Sequence, residues 1–451
     1  MISIPTKLAN QSDPIAVGVI GAGLFGENLI DQIEQVNGMK TAAIADIDTE
    51  KAKDAYDSGG VDDENIVTLN DPVAASKEIR NGNRVIFSDG LDLIDADIDV
   101  VVEATGIPNI GARHAYHAIQ DKKHVVMVTV EADTVVGPIL SKMAENNGVT
   151  YTMAYGDQPA LIVELVHWAQ TIGLNVVAAG KGNAYLEENQ YETPDDVFDR
   201  MDFEHEFVEE HDLNPQMWNS FIDGSKPAIE MCAVANATGL RPDVPGMHYP
   251  TAEIPEIGDK LRPKSDGGIL NSTGVVDTVS TLYPDGSSVD NDISNGIFVV
   301  TEAPVGRVQE YLEQYDGDGL YTSNNGKYQV FHRPFHLPGL ETPVSIANAA
   351  LRNEATGTSD KHVAEVVGVA KRDLEPGEEI DGGGGYTAFG QVIEASTAAE
   401  EDYVPFELLD GAEVTEEIAK DETITYESVD IDQSSFLYNL RQLQEELISV
   451  S

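Results

Sequence analysis

Six residues near the N-terminus open the chemical reading of this chain. Gly21-Ala22-Gly23-Leu24-Phe25-Gly26 spells GxGxxG between the apolar run IAVGVI and a stretch of helical spacing, LFGENLIDQIEQV. Strand before and helix after is the context a dinucleotide needs. Gly21 permits the tight turn, Gly23 lets the backbone approach a pyrophosphate, and Gly26 lets the helix pack close to the strand. The helix N-terminus then offers N–H groups and a positive dipole end to the phosphates. Twenty residues after Gly26, Asp46 closes the run TAAIAD. A carboxylate there accepts both ribose hydroxyls and repels a 2′-phosphate. Asp48 takes that role if the strand runs longer, and Lys51 and Lys53 lie close enough to blur the discrimination. The pattern implies NAD or NADP, with NAD favoured. VVVEATG ends a later strand, and ligands sit at the carboxyl ends of such strands, so Thr105 and Gly106 are expected to border the nicotinamide half.

Hydride transfer to a carbonyl leaves charge on oxygen, so a proton donor or fixed cation must stand near it. Cations are scarce here. Lys181 lies between two glycines just after NVVAAG, and a desolvated lysine can serve as acid or base. Lys226, in DGSKPAIEM, sits three residues after Asp223 and four before Glu230, two carboxylates that would orient the lysine or bind substrate hydroxyls. An i,i+4 ion pair of Lys226 with Glu230 is the plain alternative. Glu131 and Asp133 are the only pair considered for a divalent metal, by oxygen ligation. His332 and His336 are four apart, but Pro334 prevents the helix that would align them; they shape a loop, with Arg333 a possible anion contact. HExxH, GxSxG and the P-loop are absent.

The elements that must position these residues form three stretches. From Ile15 to about Tyr155, apolar runs alternate with helical spacing, which predicts a parallel sheet covered on both faces. From about Asp157 the pattern becomes mixed α+β. From about Lys361 helix signals thin out, and RDLEPGEEI is echoed by EEIAKDETI with Leu374 and Ile418, Glu378 and Glu422, and Ile380 and Ile424 each 44 apart. The echo suggests two β-rich halves, and a short helix in SSFLYNLRQLQEEL follows. The expected domains are 1–156, 157–360 and 361–451, an α/β protein with a small β-rich third part.

Composition bounds the partners. Among 451 residues, Lys and Arg total 27 against 79 Asp and Glu, a formal charge of −52. Nucleic acid and anionic membrane surfaces need the opposite sign. With 41% hydrophobic residues the chain is expected to fold, and the carboxylates are read as adaptation to high salt, where screening suppresses their repulsion. A single cysteine, Cys232, allows no internal disulfide and no cysteine-built zinc site. The N-terminus lacks a secretory pattern and no long apolar run occurs, so a cytoplasmic location and a small-molecule substrate are expected.

Taken in order, GVIGAGLFG, VVVEATG, HVVMVTVEAD, VVAAGKGN, DGSKPAIEMCAVANATGL and RPFHLPGLETPVSIA resemble a family of homoserine dehydrogenase-like oxidoreductases with a C-terminal SAF (β-clip) domain, some of them similar in activity to 1-deoxy-D-xylulose 5-phosphate reductoisomerase. The resemblance covers nearly the whole chain. It implies an N-terminal Rossmann domain, a central substrate and oligomerisation domain, a homo-oligomer, and NAD(P)-dependent hydride transfer at a hydroxyl or carbonyl carbon. Lys226 resembles in position the catalytic lysine of the Asp-x-x-x-Lys segment of homoserine dehydrogenases, with one residue fewer between the two. Glu131-Ala132-Asp133 stands where homoserine dehydrogenases carry Ala-Asn-Lys, which puts homoserine itself in doubt. A DXR-like reductoisomerase of a sugar phosphate, and a non-catalytic NAD-sensing or carbohydrate-binding protein, are the rival readings.

Overall fold

A computed structural model describes residues 3–450 of the chain, apart from 202, 205, 207 and 209–212. The chain packs as two units, neither a continuous stretch: residues 1–160, 337–360 and 435–448 form the first, and 161–336, 361–434 and 449–451 the second.

The first unit is built on seven strands, β1 (Ile15–Ile20), β2 (Met39–Ala45), β3 (Ile66–Thr68), β4 (Arg84–Phe87), β5 (Val100–Glu103), β6 (His124–Met127) and β7 (Tyr151–Met153). They pair in parallel in the order β3-β4-β2-β1-β5-β6-β7. Val17, Val19, Ile44, Ile86, Val100 and Val102 are buried in the core, as a sheet covered on both faces demands. β1 has β2 on one side and β5 on the other. The connections leave in opposite directions there, opening a crevice at the carboxyl ends of β1 and β5.

One expectation is corrected. HVVMVTV reads as a strand through Val130, but β6 ends at Met127 and a helix runs from Val130 to Asn147. Glu131 and Asp133 fall in its first turn, where carboxylates meet the positive end of the dipole. Pro138 lies inside this helix, a position that normally breaks it. The repair comes from the helix Phe436–Leu447. The Gln444 side chain accepts the Ile139 N–H (3.1 Å) and donates to the Val135 carbonyl (3.0 Å), so one amide replaces the i→i+4 bond those two would otherwise share.

The second unit carries a mixed sheet of β8 (Asn175–Asn183), β9 (Arg241–Pro242), β10 (Val275–Ser280), β11 (Ile297–Glu302), β12 (Leu320–Thr322) and β13 (Tyr328–Arg333), in the order β12-β13-β11-β8-β10-β9. β8 and β10 run parallel, and β11 lies antiparallel to β8. Val177, Ile257, Leu261, Val279, Phe298 and Val330 fill the core beside it. The same unit includes a β-rich segment with the antiparallel pair β14 (Ala364–Ala370) and β15 (Ala388–Glu394) and the short pair β16 (Glu413–Val414) and β17 (Val429–Asp430).

The 44-residue echo is a structural duplication. Leu374 and Ile418 exchange both backbone hydrogen bonds (2.8 and 3.0 Å), and the rest pair up about them. Gly377 N–H reaches Val414 O as Asp421 N–H reaches Ala370 O, and Ile380 N–H reaches Ala412 O as Ile424 N–H reaches Gly368 O. Glu378 accepts the N–H of Glu375 just as Glu422 accepts that of Ala419. No helix among the described residues is long and apolar enough to cross a membrane.

Replacing Gln444 by alanine leaves the Ile139 N–H without its side-chain partner and the Val135 carbonyl with only the longer bond from Arg441 (3.4 Å), so Gln444→Ala is expected to cost about 1–3 kcal/mol. Urea denaturation at fixed salt reads the loss; an unchanged midpoint would mean that the helix repairs itself.

Candidate active site

In the first unit, Gly21 follows β1 with φ +100°, and its N–H binds the Ala45 carbonyl at the end of β2 (2.9 Å). Two contacts exclude any larger residue. A Cβ on Gly26 would lie 2.1 Å from the Gly21 oxygen, and one on Gly21 would lie 2.6 Å from the Ala104 oxygen. Gly23 has the opposite environment, with nothing within 4 Å of the place a Cβ would take. It is the N-cap of the helix Leu24–Gln35, and no side chain caps that helix. The first-turn N–H groups of Leu24 and Phe25 are therefore presented to an anion, as the nucleotide reading requires.

Asp46 stands just past β2. Its Oδ2 accepts the Ala22 N–H (2.7 Å) and its Oδ1 the Asp48 N–H (2.8 Å), which aims the carboxylate at the glycine turn and leaves lone pairs for hydroxyl donors. Asp48 is committed elsewhere, capping the helix Thr49–Ser58 through the Glu50 N–H. At the end of β5, the buried Glu103 accepts from the hydroxyls of Thr105 and Thr129, and Thr129 in turn accepts the Gly106 N–H (3.0 Å). Thr105 and Gly106 are thus held over the carboxyl end of β5 by a carboxylate that the sequence reading passed over. These residues fit a dinucleotide.

Of the two carboxylates expected as metal ligands, Glu131 is half-buried and Asp133 is engaged by hydroxyls. Asp133 is fully buried, and its two oxygens accept from the hydroxyls of Tyr151 (2.8 Å) and Ser359 (2.5 Å). Burial raises its pKa to about 6, against the lowering effect of those two bonds. Among the described residues no group of three His, Cys, Asp or Glu side chains is placed to hold a metal ion.

The second unit holds a cavity of about 550 Å³. Its chemistry centres on a histidine that the sequence reading missed. His248 Nδ1 lies 2.7 Å from Asp277 Oδ2, and Nε2 lies 3.4 Å from Asp243. Asp277 Oδ1 also accepts the backbone N–H of His248 (3.1 Å) and of Thr278 (2.8 Å). The Asp277 hydrogen bond raises the histidine's pKa above its ordinary value, outweighing partial burial. Met247 and Tyr249, on either side, both have left-handed backbone (φ +70° and +45°). Such strain costs about 1–3 kcal/mol per residue and persists where the surroundings over-determine it. The signal available in sequence was one histidine between the turn dipeptide Pro245-Gly246 and Pro250.

Tyr249 stacks on Tyr185 (centroids 4.1 Å, 28°), and both phenols are pushed up by burial and by nearby carboxylates, so they stay protonated. Asp223 lines the cavity; its Oδ1 accepts the Ser225 N–H (2.9 Å) and its Oδ2 lies 2.9 Å from the Lys371 ammonium. Glu230 is buried and paired with Lys181 of β8. Lys181 also stands 6.0 Å from the Phe221 ring. Lys226 is half-buried in the first turn of the helix Ser225–Thr238, whose Ala228 lines the cavity. His332 ends up on β13 and His336 beyond it, bonded to the Asn295 carbonyl (2.9 Å). Arg333 stacks over Phe335.

Residues 17–154 match the family model of the homoserine dehydrogenase NAD-binding domain, and residues 156–342 that of the catalytic domain of oxidoreductase DRL. The two matches adjoin, an NAD-binding domain model followed by an oxidoreductase catalytic domain model. No curated protein matches it by sequence. Among solved structures it is similar to a probable dehydrogenase from Thermotoga maritima, at 12% identity and TM-score 0.35 over 74% of this chain and 88% of that one. It is also similar to 1-deoxy-D-xylulose 5-phosphate reductoisomerase from Zymomonas mobilis in complex with NADPH (16%, TM-score 0.36, 65% of this chain and 69% of that one). A third is myo-inositol dehydrogenase from Lactobacillus casei in complex with NAD(H) and myo-inositol (20%, TM-score 0.28, 41% and 50%). The chain spans about half the length of this last structure.

Asp133 gives a pH test. Its folded pKa of about 6 stands above the usual 3.8, so its carboxyl favours the fold at low pH and that contribution is lost as pH rises from about 4 to about 6. A shift of about two units corresponds to roughly 3 kcal/mol. Asp133→Asn is expected to flatten this slope relative to the parent in paired denaturation series; parallel pH curves would show that the carboxyl does not titrate there.

Proposed function

We propose that the chain transfers a hydride between a nicotinamide cofactor and a small polar hydroxy or oxo substrate, as homoserine dehydrogenase-like enzymes do, with the substrate in the cavity around His248. The observation that carries this reading is the His248–Asp277 pair at the cavity wall. Bound nicotinamide would supply or accept the hydride. The chain's own residues move the proton: His248, charged through its bond to Asp277, protonates the oxygen of a carbonyl substrate, and the neutral ring takes that proton back in the oxidising direction. Asp277 fixes the ring by bonding Nδ1 and leaves Nε2, with Asp243 beside it, as the exchanging atom.

Asp223 is suited to accept substrate hydroxyls, and Lys226, on the helix whose Ala228 lines the cavity, and the buried Lys181–Glu230 pair stand behind that lining as the cationic candidates. Glu187, Glu188 and Asp223 line the cavity, and no Lys or Arg does among the described residues. That lining suits a neutral polyhydroxy or cationic substrate and disfavours the phosphate that a reductoisomerase of a sugar phosphate needs. The Asp46 carboxylate supports NAD over NADP. The β-rich segment with its 44-residue duplication supports a SAF-like domain, and the −52 charge supports work at high salt.

The test is NADH oxidation against small aldehydes and ketones in molar KCl. His248→Ala is expected to lower kcat at least a hundredfold while the NADH dissociation constant stays within about twofold, the scale of a lost general acid. Asp277→Asn is expected to move the pH limb of carbonyl reduction to lower pH, since the bond it removes holds the histidine's pKa up. Full turnover by His248→Ala would remove the histidine from the reaction; binding of neither NADH nor NADPH would end the oxidoreductase reading. Lys226→Ala is expected to lose turnover with NADH affinity intact, and unchanged turnover takes Lys226 out of the site.

A further inference from the structure

The cavity is not closed by the 156–342 region alone. Phe389, Gly390 and Gln391, all on β15, form part of its wall. The two loops that carry the cavity's chemistry are also tied to this segment. The His248 turn docks through the Gly246 N–H on the Val392 carbonyl (2.9 Å), and a Cβ on Gly246 would lie 3.0 Å from the Gln391 amide nitrogen. On the other side, the Gly390 N–H donates to the Ser225 hydroxyl (2.8 Å), two residues past Asp223.

The deepest link is ionic. Lys371, on the turn after β14, is buried with its ammonium 2.9 Å from Asp223 and donating to the carbonyls of Glu192 (2.7 Å) and Gly385 (2.6 Å). Two charges that dry are retained only when each satisfies the other. Asn236 adds a further stitch, accepting the N–H groups of Val363 and Ala364 and donating to the Ala364 carbonyl.

We propose that the β-rich segment 361–434 is part of the substrate site, with Gln391 determining specificity at the cavity wall and Lys371 positioning Asp223. The proposal rests on the reading of the cavity as the substrate site. The Gln391 amide, on β15, is both donor and acceptor and packs against Gly246 of the turn that carries His248, so it reads the polar group of a substrate next to the reacting oxygen. Lys371 touches no cavity space among the lining residues and acts through Asp223.

The full chain is assayed with NADH and NADPH against glyceraldehyde, erythrulose, glucose and aspartate β-semialdehyde, with calorimetric binding of the same four compounds in parallel. Gln391→Ala is expected to raise KM, or the dissociation constant, about tenfold for the best compound and to reorder the four, with kcat within about threefold. Lys371→Met is expected to lower kcat/KM at least thirtyfold with NADH affinity and circular dichroism unchanged, and Asp223→Asn in the same chain to restore kcat/KM partly. Turnover by the parent chain with unchanged KM and order in Gln391→Ala overturns this proposal while the oxidoreductase reading stands. Binding without turnover by the parent overturns that reading, and the dissociation constants still decide the role of Gln391. Absence of both binding and turnover with all four compounds overturns the cavity assignment and the proposal together.

Discussion

Asp277 is the residue from which the chemistry of the second unit is hung. One oxygen gathers the backbone N–H groups of His248 and Thr278, and the other takes the imidazole. A single buried carboxylate on β10 therefore sets both the path of the 247–249 turn and the orientation of its side chain. The left-handed backbone at Met247 and Tyr249 follows from that demand: the turn is bent to meet the carboxylate. Stacking of Tyr249 on Tyr185 and docking of Gly246 on β15 hold it there. Without Asp277, a histidine in a strained turn would have no reason to face the cavity.

The nucleotide half of the molecule was legible because its determinants are local. A GxGxxG turn, its flanking strand and helix and an aspartate twenty residues on all lie within one βαβ unit, and steric contact between Gly26 and Gly21 explains the spelling. Parallel strands buried on both faces announce themselves as apolar runs. The boundary error at Val130 has a local cause as well. MVTV is as apolar and β-branched as a strand, and only the helix dipole, which rewards Glu131 and Asp133, tells against extending it.

The catalytic half was not legible, because its pairs are long-range. His248 meets Asp277 across 29 residues, Lys181 meets Glu230 across 49, and Asp223 meets Lys371 from another part of the chain altogether. Spacing arguments see neighbours one helical turn apart, and so they could not bring Lys181 of β8 to Glu230. The 44-residue echo is the instructive exception. Two weakly similar stretches proved to be related by paired backbone bonds about Leu374 and Ile418, so a pattern with no chemistry in it foretold a pseudo-symmetric β segment better than motif logic foretold the site.

The mended helix has a consequence for how this molecule is made. Pro138 interrupts a helix at the heart of the dinucleotide-binding unit, and the amide that completes it belongs to Gln444, some three hundred residues downstream. On a translating ribosome, the parallel sheet is synthesised first yet stays unfinished while the whole second unit emerges behind it. The segment that seals the sheet's flank arrives after both. The helix that holds Pro138 therefore lacks its side-chain partners until residue 444 has been made.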